Sequence, residues 1–330
     1  MNVTSEISAE YHVVGGIVLA VVSVIGVLAN CYVFVSVLHR RKTRSSFLYL
    51  CSSKALYNFI VCAVFLVWCT PTAFLRDSYA PYVVNVILGN LVGGTMYLGG
   101  VLTQVLASIN RLVASFSIHL YNRLCTLRNT MIIVALCWVG TLAVALLYCL
   151  NGVGYIFHQD LLVWQGDGQQ LSADAFEIIG MLVYSSTGVM FILNIITFAK
   201  LVMLTRSNTV LSNSESTKRM KRNRVLFAQK VSQDCLYLVD MLFAQVLVGL
   251  LEYDWWKFIC LSFVWLSLNT IDGIVMIVFV KELCDPLKRQ LQRMVRVIRE
   301  STRDQNTNEL FKRRKSKPIT MATASSSNKY

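Results

Sequence analysis

Seven long apolar runs, separated by short polar segments, dominate the hydrophobic pattern of this 330-residue chain. A helix needs about 20 residues to cross a hydrocarbon core of roughly 30 Å, and each run is long enough. We place the spans at Val13–Leu38, Phe47–Trp68, Tyr82–Ile109, Met131–Leu150, Phe176–Leu204, Val225–Leu251 and Phe258–Val280. The pattern therefore predicts an all-α membrane protein, a bundle of seven transmembrane helices.

A different periodicity follows the seventh span. Asp285-Pro286 is a typical helix start. Apolar residues then recur at helical spacing, at Leu283, Leu287, Leu291, Val295 and Ile298. We expect an amphipathic cytosolic helix lying on membrane lipid, with a solvated tail helix as the alternative. The chain is thus divided into an N-terminus (1–12), the bundle (13–280), this juxtamembrane helix (281–300) and a basic, disordered cytosolic tail (301–330).

The distribution of Lys and Arg predicts the orientation of the bundle, because cationic loops stay on the cytosolic side. Of the 31 cationic residues, 26 lie in Arg40–Arg44, Arg111–Arg128, Arg206–Arg224 and the tail from Lys281. The opposite side carries the sequon Asn2-Val3-Thr4, a glycosylation acceptor at Asn2. We expect a multi-pass plasma membrane protein with an extracellular N-terminus and a cytosolic C-terminus, inserted by its first span without a cleaved signal peptide.

Composition argues against several functional classes. With 55% hydrophobic and only 15% charged residues, the chain is unlike a soluble domain. The net charge of +13 could indicate a nucleic-acid partner, but the cations lie in loops between apolar runs rather than on one face, so none is expected. Enzyme motifs, spaced metal ligands and a retinal-binding lysine in the middle of the seventh span are missing. We therefore expect no enzymatic activity, no cofactor and no metal.

The ten cysteines do not indicate a disulfide framework, since most lie inside spans where thiols simply pack. Cys69 and Cys149 fall near outer helix ends, and a bridge between them requires a close approach that the sequence leaves open. Cys284 stands where the last span meets the following helix, a common setting for reversible acylation. An unmodified Cys284 thiol is the alternative.

Polar residues inside the spans are costly in lipid, so each one is a functional hypothesis. Asn30 and Asn58 lie in the first two spans, whereas Asn269 and Asp272 lie one turn apart in the seventh. These four residues could face a shared polar centre. Such a centre is either a functional network or a set of static interhelical hydrogen bonds.

Three further charged residues lie in the cytosolic thirds of their spans. For Lys54, Lys230 and Asp234 we expect long side chains to snorkel toward the cytosolic headgroups. A structural role at the membrane interface is therefore the favoured interpretation of all three.

Asp240 lies deeper in the sixth span than these residues. It is protonated, paired with a neighbouring helix or facing water, and the sequence does not choose among these states. Tyr97 and Gln104 lie among the glycines of the third span, which allow close helix packing. We take Tyr97, Gln104 and Asp240 as candidate ligand contacts in a central cavity.

Several short motifs resemble the rhodopsin-like G-protein-coupled receptor superfamily. Asn30-Cys31-Tyr32-Val33 resembles its first-helix Asn motif, and Asn58 falls where its second-helix Asp usually lies. Asn110-Arg111-Leu112 stands in for Asp/Glu-Arg-Tyr at the cytosolic end of the third helix. Trp138 matches the fourth-helix Trp, and Asp272-Gly273 stands in for the seventh-helix Asn-Pro.

Departures from the superfamily pattern narrow the resemblance. The third-helix Cys that usually pairs with the second outer loop is missing, and no proline occurs in the last three spans. Together with Leu50-Cys51-Ser52-Ser53-Lys54-Ala55 and Trp68-Cys69-Thr70-Pro71, the motifs are most similar to nematode serpentine chemoreceptors of class X.

This resemblance implies a chemosensory receptor that binds a small molecule between its outer helical halves and activates a heterotrimeric G protein, with sensory cilia as one plausible location. It assigns coupling and activation to Asn30, Asn58, Asn110, Arg111, Asn269 and Asp272, and docking of the partner to the Thr205–Arg224 loop. Because Asn110 replaces an acid, the charge lock on Arg111 is weakened, and we expect noticeable basal activity.

Two alternatives stay open from the sequence. A receptor for an internal peptide or metabolite would have the same features. A membrane transporter or ligand-gated channel would often show inverted repeats and helices broken by Gly or Pro at matching positions, and the chain has no self-similar halves.

Overall fold

Seven long helices form the bulk of the structure. The computed structural model describes residues 9–39, 45–76, 79–208, 214–290 and 292–296. Its membrane-spanning helices are α1 (Ala9–His39), α2 (Ser46–Leu75), α3 (Tyr82–Phe116), α4 (Leu127–Leu150), α5 (Gln170–Leu204), α6 (Asn223–Leu250) and α7 (Asp254–Phe279). All seven overlap the runs predicted from the sequence, so the seven-helix membrane bundle is confirmed.

Several helices extend beyond the apolar runs that predicted them. The helix of α3 continues from the expected end at Ile109 to Phe116. Helical structure also continues past α5 to Asn208 and begins ahead of α6 at Ser214. Hydropathy marks only the part of a helix that is compatible with lipid, so polar end turns escape it. A short helix, Ile118–Leu124, connects α3 to α4.

Side-chain caps explain where two of the helices begin. Ser45 Oγ accepts a hydrogen bond from Leu48 N at 3.3 Å at the start of α2. Thr126 Oγ1 accepts one from Asn129 N at 3.2 Å at the start of α4. Each cap satisfies a backbone N–H that has no partner within its own helix, and it therefore sets the first turn.

Four helices contain a π-helical segment. These segments are Phe65–Cys69 in α2, Asn90–Met96 in α3, Leu242–Val246 in α6 and Ile259–Phe263 in α7. All four lie in the same half of the bundle, the half that contains the loop 151–169. Because a π turn has one more residue than an α turn, it changes which side chains the rest of the helix directs inward.

Apolar side chains divide between an interior and an outer surface. Inside, one apolar cluster includes Phe65 and Trp68, and a second includes Phe47 and Met276. Outside, α4 exposes Leu136 at 66% of its surface. A continuous apolar exterior of this kind would be an aggregation hazard in water, whereas around a membrane-spanning bundle it is suited to lipid tails.

A β-hairpin in the loop between α4 and α5 is a second element that the sequence did not predict, after the short helix Ile118–Leu124. Its strands β1 (Tyr155–His158) and β2 (Val163–Gly166) pair antiparallel, with Phe157 opposite Trp164. Leu162 has a left-handed backbone, with φ of 54°, at the end of the connecting turn. Four-residue strands in a loop carry too short a pattern for sequence periodicity to detect. We call the end of the bundle that carries this loop the hairpin end.

A C-terminal helix follows α7, as the sequence predicted. Residues 281–290 and 292–296 are helical, and Cys284 begins the second of the two units into which the chain divides. The lipid contact of this helix stays a prediction, as do the segment boundaries at 12, 280 and 300. Leu291, Ile298 and the tail 301–330 lie outside the described residues.

Candidate functional site

Asn85, near the start of α3, holds the hairpin by its backbone. Its Oδ1 accepts a hydrogen bond from Phe157 N at 2.9 Å, and its Nδ2 donates to the Phe157 carbonyl oxygen at 3.1 Å. Trp68 Nε1 of α2 donates to the same Oδ1 at 3.2 Å. Because α3 contains no cysteine, these hydrogen bonds connect the loop to α3 without a disulfide.

Two other helices, α1 and α7, and a second asparagine of α3 also contribute side chains that bind the loop backbone. The donors are Tyr11 Oη to the Leu161 carbonyl at 2.6 Å, Ser262 Oγ to the Leu162 carbonyl at 2.7 Å and Asn90 Nδ2 to the Val153 carbonyl at 2.7 Å. Carbonyl groups of a buried loop need such partners, since they are cut off from water. The loop is therefore held by α1, α3 and α7 together.

A cavity of about 680 Å³ lies between the hairpin and helices α3, α5, α6 and α7, and we call it the large cavity. Its aromatic and charged lining consists of Tyr97, Tyr155, Trp164, Phe176, Asp240 and Trp265. Four glutamines add neutral polar groups: Gln165, Gln169, Gln170 and Gln245. This size, with an aromatic wall and a few polar groups, is typical of small-molecule sites.

Asp240 projects from α6 to the large cavity and is paired with α3. Tyr97 Oη donates a hydrogen bond to Asp240 Oδ2 at 2.9 Å. Of the states left open by the sequence, the structure shows a carboxyl group that is paired with a neighbouring helix and that also borders the large cavity. Burial, and secondarily the Asp240 carboxylate, raise the pKa of the nearby Tyr155 hydroxyl, so this tyrosine stays a neutral donor.

Gln104 does not share this environment. It is buried at 2% exposure two helical turns beyond Tyr97 along α3, and it lines neither the large cavity nor the small one beside it. Its Nε2 has no hydrogen-bond partner among the described residues. The structure therefore brings Tyr97 and Asp240 together at the cavity but leaves Gln104 outside the candidate ligand site.

The small cavity, of about 20 Å³, adjoins the large one. Both cavities are lined by Tyr97, Asp240 and Trp265, which form a shared wall. The small cavity has room for about one water molecule. Its other polar lining residues are Lys54, Gln233, Tyr237, Asn269 and Asp272.

Asp272 of α7 is the centre of a buried cluster that we call the polar core. Its members are Asn30, Lys54, Asn58, Gln233, Tyr237 and Asp272. Asp272 Oδ2 accepts from Asn58 Nδ2 at 2.7 Å, and Asp272 Oδ1 accepts from Gln233 Nε2 at 2.6 Å. Lys54 Nζ lies 3.8 Å from Asp272 Oδ2. Both carboxylate oxygens are thus engaged, by α2 and by α6.

The polar core extends from α6 to α1. Lys54 Nζ donates to Tyr237 Oη of α6, and Asn58 Nδ2 donates to Asn30 Oδ1 of α1 at 3.3 Å. Asn269 takes part through its backbone, since its carbonyl oxygen accepts from Asn30 Nδ2 at 3.2 Å. The four residues expected from the sequence therefore meet, three of them through side chains. Whether this centre switches or only packs stays a prediction.

Lys54 and Lys230 do not snorkel, so that expectation is wrong. They are 5% and 0% exposed, and Lys230 Nζ bonds Asp234 Oδ1 within α6. Asn194 Nδ2 of α5 also donates to Asp234, at 2.6 Å. A buried charge is tolerated when an opposite charge and hydrogen bonds replace its water, and here both lysines find carboxylates inside the bundle.

The sequence of α6 contains a pattern that indicates its buried polar residues, and the predictions from the sequence did not use this pattern. Polar residues follow one another at helical spacing along α6, at Lys230, Gln233, Asp234, Tyr237 and Asp240. All five are buried. A polar stripe with a period near 3.6 residues indicates one helix face turned to a polar interior, and it could have identified Gln233 and Tyr237.

Asn110 and Arg111 lie at the end of α3 that is farthest from the hairpin. Arg111 Nη2 donates to Asn110 Oδ1 at 3.0 Å, and its guanidinium carbon lies 3.7 Å from the ring centroid of Phe47. Asn110 Nδ2 donates in turn to Ser46 Oγ at 2.8 Å. Arg111 is 8% exposed, so the arginine is covered in this conformation.

The cysteines do not form the bridge that the sequence left open. Cys69 and Cys149 both carry free thiols. Cys69 is packed in the apolar cluster of the hairpin end, whereas Cys149 Sγ accepts a hydrogen bond from Asn90 Nδ2 at 3.4 Å. Cys284 is also a free thiol and its acylation stays a prediction, while Asn2 lies outside the described residues. Within the described ranges, no three His, Cys, Asp or Glu residues are grouped to hold a metal ion.

Comparisons with known proteins agree on the architecture. A family model described as serpentine type 7TM GPCR chemoreceptor Srx matches residues 20–279. The fold is similar to the crystal structure of squid rhodopsin, with a TM-score of 0.73, 12% sequence identity and 87% of each chain covered. Among curated proteins, no sequence matches this chain.

Proposed function

This chain belongs to the Srx family of serpentine seven-transmembrane G-protein-coupled chemoreceptors, and from that premise we propose that it detects a small molecule outside the cell and activates a heterotrimeric G protein. The observation that carries the proposal is the wall shared by the two cavities. Tyr97, Asp240 and Trp265 line the space that a ligand would fill and also the space beside the polar core. A ligand contacting this wall would act directly on residues that join the helices.

The proposed orientation has the hairpin end outside the cell. The loops of the opposite side and the chain from Lys281 together hold 26 of the 31 cationic residues, and cationic segments resist translocation. In this orientation the large cavity opens toward the outside, and the acceptor Asn2 is available for glycosylation. The protein would then act in the plasma membrane of a sensory cell, including its cilia, in a chemosensory role such as olfaction.

The size of the large cavity favours a small molecule over a peptide. A volume of about 680 Å³ lies within the usual range of small-ligand pockets, which is about 300–1,000 Å³. The hairpin, anchored by Asn85, forms part of the wall of this space. A long peptide would have to displace the hairpin, whereas a small ligand would not.

Activation would follow from differential binding. A ligand shifts the receptor between two conformations only by its difference in affinity for them. Contact with Tyr97 or Asp240 would alter the α3–α6 hydrogen bond, and the adjoining polar core links α6 to α7 through Gln233 and Asp272. The shift would thus reach α6 and α7 as changed pairing of Asp272, and Asn30, Asn58 and Asn269 would respond with it.

The other end of the bundle would receive the G protein. Arg111 is covered here by Phe47 and bonded to Asn110, so an active state has to release it. The neutral Asn110 holds the guanidinium less strongly than a carboxylate would. This favours a measurable basal activity. The loop 205–224 would dock the partner beside Arg111.

The test is basal guanine-nucleotide exchange in membranes that contain the receptor and a panel of G proteins. Native chain and Arg111→Ala are compared at equal surface expression, with Arg128→Ala as the matched control because Arg128 is exposed at the start of α4. We expect exchange in the native chain and in Arg128→Ala, and its loss in Arg111→Ala. Equal exchange in all three chains would contradict the role given to Arg111. A ligand-gated current without any G protein would contradict the receptor function and favour a channel.

A further inference from the structure

Asp240 is the one charged residue that lines the large cavity among the residues that the structure describes. The other polar contributions come from uncharged side chains, the four glutamines and the tyrosines. No Lys, Arg or His of the described chain lines this space, so an anionic ligand would find no opposite charge. With Asp240 ionised, the cavity carries a net negative charge at its boundary with the small cavity.

Among the described residues, no Lys, Arg or His lies within ion-pair distance of the Asp240 carboxylate. Its one described hydrogen bond comes from the neutral Tyr97 hydroxyl. Lys54, the cation of the polar core, also lines the small cavity, but it pairs with Asp272 and donates to Tyr237. A carboxylate that is only 6% exposed and has no cationic partner among the described residues is costly, and a cation arriving from the large cavity would offset that cost.

The rest of the cavity wall suits a cation that carries an apolar group. Tyr155, Trp164, Phe176 and Trp265 present aromatic rings, and aromatic faces attract ammonium groups as well as apolar surface. The glutamine side chains can accept hydrogen bonds from a protonated amine, which has donors only. Charge, aromatic lining and hydrogen-bonding capacity thus favour the same ligand class.

We propose that the ligand of this receptor is a small organic monocation, a protonated amine or quaternary ammonium compound, whose charge lies against Asp240 and whose apolar part lies under the hairpin. The inference rests on the proposed receptor function and specifies its ligand. Tyr97 would hold the carboxylate through Oδ2 and leave Oδ1 for the ligand. Binding would then place a positive charge next to the wall that the large cavity shares with the polar core.

The test measures binding without any G protein, on the purified full chain in lipid nanodiscs. Thermal unfolding is recorded with a library of compounds in sets of three. Each set contains an alkyl or arylalkyl amine, the neutral alcohol of the same skeleton and the corresponding carboxylic acid. Tryptamine, tryptophol and indoleacetate form one such set. We expect stabilisation by amines and none by their alcohols or acids. Stabilisation mainly by alcohols or acids, or by no amine in the library, would overturn the proposal.

Two variants identify the residue responsible. Asp240→Asn keeps the shape of the side chain and should weaken amine binding by about tenfold or more, as expected for loss of a charged hydrogen-bond partner. Glu177→Gln, on the exposed side of α5, removes a negative charge away from the cavity and should leave amine binding unchanged. Unaltered amine affinity in Asp240→Asn would overturn the assignment.

A gain of charge keeps the test decisive if Asp240→Asn fails to fold. Gln245→Lys introduces a cation into the cavity wall and should abolish amine binding while admitting carboxylic acids. Retained amine binding in this variant would contradict the proposal. Because the assay contains no G protein, a failure here concerns the ligand class alone, whereas absent nucleotide exchange would concern the receptor function.

Discussion

A side chain at Gly89 of α3 would collide with the backbone of Tyr155 in the hairpin. A Cβ atom built on Gly89 lies 1.6 Å from the Tyr155 carbonyl oxygen, far inside any permitted contact. Only a residue without a side chain lets the loop approach α3 at this point. The position of Tyr155, and with it part of the large cavity's wall, therefore depends on a glycine in a different element.

Gly89→Ala should displace the hairpin, whereas Gly94→Ala should not. A Cβ on Gly94 meets nothing within 4 Å, so alanine there adds helix propensity without a clash. We expect a lower midpoint of thermal unfolding for Gly89→Ala and an unchanged or slightly higher one for Gly94→Ala, measured on purified receptor. Equal midpoints for the two variants would mean that the loop does not approach α3 as described.

Asn85→Ala should release the hairpin from α3. It removes two hydrogen bonds to Phe157 and one from Trp68, and the groups left behind are buried. Each unsatisfied buried group costs about 1–3 kcal/mol, so we expect a loss of several kcal/mol in unfolding free energy. Asn151→Ala is the control, because Asn151 bonds only its own helix at an exposed site.

The same variant pair also tests how the loop is held. Unfolding of the native chain should be insensitive to a reductant, since its described cysteines are free. A large destabilisation by reductant, with little effect of Asn85→Ala, would assign the anchoring of the loop to a disulfide instead.

Lys54 and Asp272 should be coupled in a double-mutant cycle. Lys54→Met leaves a buried carboxylate, Asp272→Asn leaves a buried ammonium, and breaking one partner of a buried pair costs about 3–5 kcal/mol. We expect the double variant to be more stable than the sum of the single effects predicts. Purely additive effects on thermal unfolding would show that the two charges do not interact.

Asn110→Asp should lower the basal activity. A carboxylate at this position can pair with the Arg111 guanidinium and can still bond the Ser46 hydroxyl. The covered conformation of Arg111 is thereby stabilised, and we expect less basal nucleotide exchange than in the native chain. Asn129→Asp serves as the control, since Asn129 is exposed at the start of α4. A rise in basal exchange for Asn110→Asp would contradict the role given to the Asn110–Arg111 contact.

Some details of the candidate site could be anticipated from the sequence. Asn30, Asn58 and Asp272 stand out because polar residues in apolar spans need partners, and the structure brings them into contact. The expectation that Lys54 snorkels was wrong, because its position in the cytosolic third of its span is compatible with both snorkelling and an internal ion pair. The choice depends on Asp272, 218 positions away in the chain, and no local pattern contains that information.

The sequence by itself determined the number of spans, the helical fold and the distribution of charge between the two sides. These properties are local, because a lipid core selects each run of about 20 apolar residues independently of the others. Only the tertiary structure decided that Asn85 holds a hairpin, that Tyr97 meets Asp240 and that Lys54 turns inward. Each of these contacts joins residues from different helices or loops, and it exists only because the packing of the bundle brings their side chains together.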